Sequence, residues 1–118
     1  MTELFFAIVL SWSVIDGDTI RVQARIWPNV IAEEHVRLLG IDTPELRAAT
    51  QCEKALAQAA KQVTSEVLSG AQRITITANS RDSFGRILGN VSVDGLSLSD
   101  LLLAKGVARK YGSKGVWC

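Results

Sequence analysis

Long apolar runs are missing from this chain of 118 residues. None approaches the roughly 18 residues that a membrane-spanning helix needs. Proline and glycine are scarce, at 2 and 9, which excludes a collagen-like or linker-rich chain. With 2 cysteines there is no disulfide framework, and with 1 histidine there is no paired His/Cys set for zinc. Excess charge is missing as well. A net charge of +1 and an isoelectric point near 7.8 exclude a strongly basic coat protein. What is present is apolar material, at 47% against 21% charged residues, with a mean hydropathy of +0.19. Such a chain folds rather than staying disordered. At this length about two-thirds of the unfolded surface can be buried. One monomeric domain over residues 1–118 is expected.

The near-zero net charge hides an asymmetry. Residues 1–72 hold six Lys/Arg and nine Asp/Glu, whereas residues 73–118 hold seven Lys/Arg and three Asp. An acidic part beside a basic part suits a metal-assisted site that receives an anion. It also suits a surface whose charge is merely uneven. Near the N-terminus, Leu4 to Leu10 is apolar, but Glu3 precedes it with no Lys or Arg. That pattern is read as a first strand rather than a signal-peptide core. No targeting segment is expected within the chain.

Residues 5–15 are rich in Phe, Ile, Val and Trp and predict a strand. Asp16-Gly17-Asp18 is a turn signal. From Thr19 to Trp27, Ile20, Val22, Ala24 and Ile26 alternate with polar residues, which completes a hairpin. His35 to Ile41 predicts a third strand, ended by Asp42-Thr43-Pro44-Glu45. From Ala48 to Ser69 the period becomes helical, with Cys52, Ala55, Leu56, Ala59, Val63 and Val67 on the apolar stripe. Gly70 stops it. Arg73–Ala78 and Arg86–Val93 predict strands four and five. Ser97 with Asp100 caps a short helix over Leu98–Lys105, and the tail after Tyr111 is irregular. The fold class is therefore mainly β with helices (α+β). A helix between strands three and four, and a short C-terminal helix, match a five-stranded OB barrel.

Three segments carry chemistry: Asp16-Gly17-Asp18-Thr19, Arg37 through Glu45, and Asp82-Ser83-Phe84-Gly85-Arg86. Asp18 and Asp42 stand at strand ends, which converge in a small barrel. Two such carboxylates open to water make a hard-cation site, and Ca²⁺ tolerates an irregular oxygen shell best. Each also reads as an ordinary turn residue. Glu45 follows Asp42 by one short step, so one carboxylate can hold a metal while the other holds a water. Arg37 lies in a strand full of Leu and Ile, where a guanidinium is costly unless it pairs or faces a polar cleft. Arg37 and Arg86 can clamp a phosphate, or can form two structural ion pairs.

The segments D-G-D-T, R-x-x-x-I-D-T-P-E and D-x-F-G-R, in this order, resemble the micrococcal nuclease (thermonuclease, SNase-like) family. The likeness runs from about residue 9 to residue 111 and includes the helix between the second and third segments. It implies a Ca²⁺-dependent phosphodiesterase acting on DNA and RNA, with single strands preferred and 3′-phosphate ends as product. It implies that Asp18, Asp42 and the Thr43 backbone carbonyl hold the metal. Glu45 would be the general base that activates water. Arg37 and Arg86 would bind the scissile phosphate, with Asp16 and Asp82 as supporting residues that fix the turns.

Departures from the family's best-known member are local. Ser83 and Phe84 stand where that protein has a Lys and a Tyr, which removes two contacts to a terminal phosphate. Phe84 and Tyr111 are the candidate substrate contacts. The family's last helix is expected to be absent, which draws attention to Cys52 and Cys118. A bridge between them would close a loop of about 65 residues and stabilise by roughly 4 kcal/mol on chain-entropy grounds. The other reading is a buried Cys52 with a free Cys118. A bridge needs an oxidising compartment, so secretion or a periplasmic location is expected, with the cytoplasm as the alternative. His35 reads as a solvated strand start and Trp12 as core. Trp27 is either surface packing or a substrate contact. Arg109, Lys110 and Lys114 form a basic segment that can follow a nucleic-acid backbone. Two other functions compete with the nuclease: a non-catalytic OB-fold nucleic-acid-binding module and a protein-interaction domain. The full set of Asp18, Arg37, Asp42, Glu45 and Arg86 speaks against both.

Overall fold

The computed structural model describes residues 5–47 and 50–118. Along the chain run β1 (Phe5–Asp16), β2 (Thr19–Trp27), β3 (Val30–Leu38), the two-residue β4 (Ile41–Asp42) and helix α1 (Gln51–Ser69). There follow β5 (Ile74–Arg81), β6 (Ile87–Val93), the short β7 (Leu96–Ser97), helix α2 (Leu98–Ala104) and the short β8 (Arg109–Lys110). The five long strands lie in the order β3-β2-β1-β5-β6, and a further β3–β6 pairing closes them into an OB-like barrel. That closing pair is parallel and sets Val36 opposite Ile87, Arg37 opposite Leu88 and Leu38 opposite Gly89.

Over their buried stretches the long strands follow the period of two, most clearly in β2, β5 and β6. In β2, Ile20, Val22 and Ala24 are buried while Arg21, Gln23 and Arg25 face out. β1 serves two partners, pairing with β5 near Phe5–Ile8 and with β2 from Ile8 to Asp16. Register shifts at Val9/Ser11 and Val14/Asp16 bend it between them. Ile20, Leu38, Ile41, Ile76, Leu98 and Leu102 fill the centre with side chains under 2% exposed or close to it. The Asp94-Gly95 turn has φ of 50° and 86°, as a two-residue hairpin loop requires.

The start of β3 and the packing of α1 differ from the sequence reading. β3 begins at Val30 rather than His35, because its first half, despite Glu33 and Glu34, pairs with β2 along Val22–Trp27. The predicted helix start at Ala48 lies outside the described residues. α1 is capped by Thr50, whose side chain accepts the Glu53 N–H at 3.0 Å. Its fully buried face is Ala57, Ala60, Thr64 and Leu68; of the predicted stripe, Val63 and Val67 pack half-buried against the core, while Cys52, Ala55, Leu56 and Ala59 are exposed. Leu56 is left 39% exposed. The helix presents small residues because it packs tightly on the turn after β1. The predicted Ser97 cap of α2 is present, accepting the Asp100 N–H at 3.2 Å. No helix among the described residues is long and apolar enough to cross a membrane.

Candidate active site

The β1–β2 turn places the first carboxylates. Gly17 is required there by space. A Cβ on it would lie 2.8 Å from the Ala60 Cβ and 3.0 Å from the Thr43 Oγ1. The buried Thr64 hydroxyl donates to the Gly17 carbonyl at 2.8 Å, which fastens the turn to α1. Asp16 then accepts the Leu46 N–H at 3.2 Å and so holds the segment that carries Glu45. Asp18 is 5% exposed. Its Oδ2 accepts the Thr43 N–H at 3.1 Å and its Oδ1 accepts the Thr19 hydroxyl at 3.0 Å.

Arg37 sits between the carboxylates. Its Nη2 is 3.3 Å from Asp18 Oδ2 and 3.2 Å from Asp42 Oδ1. Its Nη1 donates to the Leu38 and Ile41 carbonyls at 2.9 and 3.0 Å. A guanidinium in this apolar strand is thus offset by partners at both of its terminal nitrogens. Burial pushes the Asp42 carboxyl above its ordinary range, and the facing charge of Asp18 adds to this, against the pull of Arg37.

The third motif is a self-contained turn. Asp82 Oδ1 accepts the N–H groups of Phe84 and Arg86, both at 2.9 Å, and its Oδ2 accepts Arg86 Nε at 2.6 Å. Burial opposes ionisation of Asp82, yet the bonds from the Arg86 side chain and from the two backbone N–H groups prevail, and its carboxyl lies below the ordinary range. Among the described residues, neither Nη of Arg86 has a hydrogen-bond partner. Its guanidinium carbon lies 5.4 Å from the centre of the Phe84 ring.

These groups share one cleft of about 530 Å³, lined by Asp16, Asp18, Arg37, Asp42, Glu45, Asp82, Phe84, Arg86 and Tyr111 among others. Glu45 is exposed and its carboxylate has no hydrogen-bond partner among the described residues. Thr43 is buried beneath Asp18, and its Oγ1 has no hydrogen-bond partner among the described residues. Phe84 and Tyr111 are 83% and 73% exposed at the rim. His35 and Trp27 are exposed and do not line this cleft, Trp27 standing at the far end of β2. Trp12 packs against the core. Cys52, at the start of α1, and Cys118 are joined by a disulfide with Cα atoms 6.2 Å apart. The sequence reading missed Ala60 and Thr64, whose signal was small residues on a helix at a spacing of four.

Although five carboxylates line the cleft, among the described residues no three or more His, Cys, Asp or Glu side chains are grouped so as to hold a metal ion by themselves. Asp18 and Asp42 alone face each other across a cation, the Arg37 guanidinium. Two crowded carboxylates at an open cleft fit a hard divalent ion that takes its other oxygens from backbone and water. They do not make a closed cage.

The family described as Staphylococcal nuclease homologue matches residues 35–116. The SPbeta prophage-derived endonuclease YokF of Bacillus subtilis (strain 168) is 37% identical over 97 residues, covering 80% of this chain and 31% of that protein. Endonuclease YncB of the same strain is 36% identical over 97 residues, covering 80% of this chain and 44% of that protein. The chain therefore spans less than half the length of either relative.

Proposed function

The chain belongs to the staphylococcal nuclease homologue family, and from that premise we propose that it is a calcium-dependent nuclease. It would hydrolyse phosphodiester bonds of DNA and RNA, preferring single strands and leaving 3′-phosphate ends. The observation that carries this reading is the convergence of Asp18, Arg37, Asp42, Glu45 and Arg86 on one cleft. Asp18, Asp42 and the Thr43 carbonyl would hold Ca²⁺. When bound, the ion supplies positive charge that polarises the phosphate and its attacking water.

The side chains account for the rest. Glu45, exposed at the cleft, accepts a proton from water as the water oxygen bonds to phosphorus. The bond from phosphorus to the 5′ oxygen breaks, and that oxygen takes up a proton. Arg86 offers both Nη groups to the phosphate, since Asp82 holds only its Nε. Arg37 adds charge from the floor. Their combined charge matters most when phosphorus carries a fifth oxygen. Phe84 and Tyr111 at the rim give exposed rings on which unpaired bases can stack. The Cys52–Cys118 bridge supports a secreted or periplasmic setting.

The test is cleavage of single-stranded DNA with Ca²⁺ and with EGTA, beside the Glu45→Gln variant. The expected result is Ca²⁺-dependent cleavage that falls by about 10²–10³ in the variant, by analogy with loss of other transition-state contacts. A wild-type chain that binds the strand without cutting it would establish the binding-module reading instead.

A further inference from the structure

The tail after β8 is fastened in an unusual way. The Tyr111 N–H donates to the Gly40 carbonyl at 2.9 Å. Ser113 turns back onto the Lys110 carbonyl through its N–H at 3.1 Å and its hydroxyl at 2.7 Å. Beyond Ser113 no hydrogen bond or ion pair is found among the described residues. What holds this last stretch is the Arg109 guanidinium, 4.0 Å from the centre of the Trp117 ring, and the bridge from Cys118 to Cys52.

Among the described residues, the Arg109 guanidinium forms no ion pair within 4 Å, though its charge acts on Asp42. Its Nε is buried and has no hydrogen-bond partner among the described residues. It stands opposite Asp42 in the β4–β8 ladder, where Ile41 faces Lys110. A ladder of two residue pairs is too short to be stable by itself. The disulfide keeps Trp117, one residue from Cys118, within reach of Arg109, so the stack forms at high effective concentration.

We propose that Trp117, latched by the Cys52–Cys118 bridge, is a positioning residue for the cleft. Its ring fixes Arg109, and through the β4–β8 ladder it sets both Asp42 and the rim residue Tyr111. The part of this that concerns activity rests on the nuclease reading. The part that concerns the ladder does not.

The experiment compares Trp117→Ala, Trp117→Phe, a Cys52→Ser/Cys118→Ser chain, and that chain carrying Trp117→Ala. Amide hydrogen exchange is read at Tyr111 and at β2, and kcat/KM is read on single-stranded DNA in Ca²⁺. Loss of the ring or of the latch should speed exchange at Tyr111 about tenfold and leave β2 unchanged. It should lower kcat/KM by about the same factor, and Trp117→Phe should restore both readouts because it keeps an aromatic face. The combined variant should be no worse than Trp117→Ala. Unchanged exchange at Tyr111, equal speeding at β2, or additive losses would each overturn the proposal. If the wild type cuts no DNA, the nuclease reading falls and the exchange data still decide the latch.

Discussion

Arg37 on β3 and Arg86 just ahead of β6 face the same cleft from strands that close the barrel, yet they are held differently. Arg37 spends its donors on two carboxylates and two carbonyls, with its side chain only 12% exposed. Arg86 spends one backbone N–H and one Nε on a single neighbour, Asp82, and keeps its outer nitrogens free. The first belongs to a floor knit from β1, β2, β3 and α1. The second belongs to a turn that organises itself. A floor of this kind couples chemistry to folding, whereas the rim leaves them separable.

Alanine at the two arginines gives the largest test of that contrast. Both variants should lose about 10²–10³ in cleavage rate. Arg37→Ala should also cost about 3 kcal/mol in urea unfolding, because it leaves Asp18 and Asp42 facing each other without their cation. Arg86→Ala should unfold close to the wild-type midpoint. Matching unfolding midpoints for the two variants would erase the distinction.

The glycines repeat it on a smaller scale. Gly17→Ala drives a Cβ to within 2.8 Å of Ala60, and overpacking of this kind costs about 2 kcal/mol. Gly85→Ala meets nothing within 4 Å and bears only its φ of 85°, worth about 1 kcal/mol. Thermal unfolding of the pair measures this. A Gly85 variant that unfolds earlier than the Gly17 variant would reverse the assignment of floor and rim.

Acid titration should show the smallest effect, with opposite signs at the two places. Asp82 lies below its ordinary value of 3.8. Its contribution to stability is present above that value and is lost as pH falls through the lower folded one. Asp42 lies above 3.8, so the folded chain takes up its proton first. Stability then rises as pH falls from the raised value toward the ordinary one. In metal-free protein, Asp82→Asn should flatten the loss at low pH, and Asp42→Asn should steepen it. Unfolding free energies measured between about pH 1 and pH 6 decide this.

Much of the rim could be read from the sequence and less of the floor. Asp82-x-Phe84-Gly85-Arg86 is local, so its turn chemistry is visible in consecutive residues. Arg37 was visible because a charge stood in an apolar strand. The docking of Gly17 on Ala60 and Thr64 was not, since alanine and threonine on a helix carry no strong signal of burial. The β4–β8 ladder was not either, because two-residue strands have no period to detect. β3 was read short because Glu33 and Glu34 hid its alternation, while the β2 strand beside them supplied the pairing.

The parallel pairing of Val36 with Ile87 has a consequence for the order in which the chain is made. A parallel closure joins segments far apart in sequence, so it comes late and against the entropy of a long loop. A nascent chain that has not yet reached Ile87 already carries Asp18, Asp42 and Glu45. It has no neighbouring strand to set Arg37 across from Arg86, and no β8 to pair with Asp42. Assembly of the cleft therefore waits until β6 and β8 have both been synthesised.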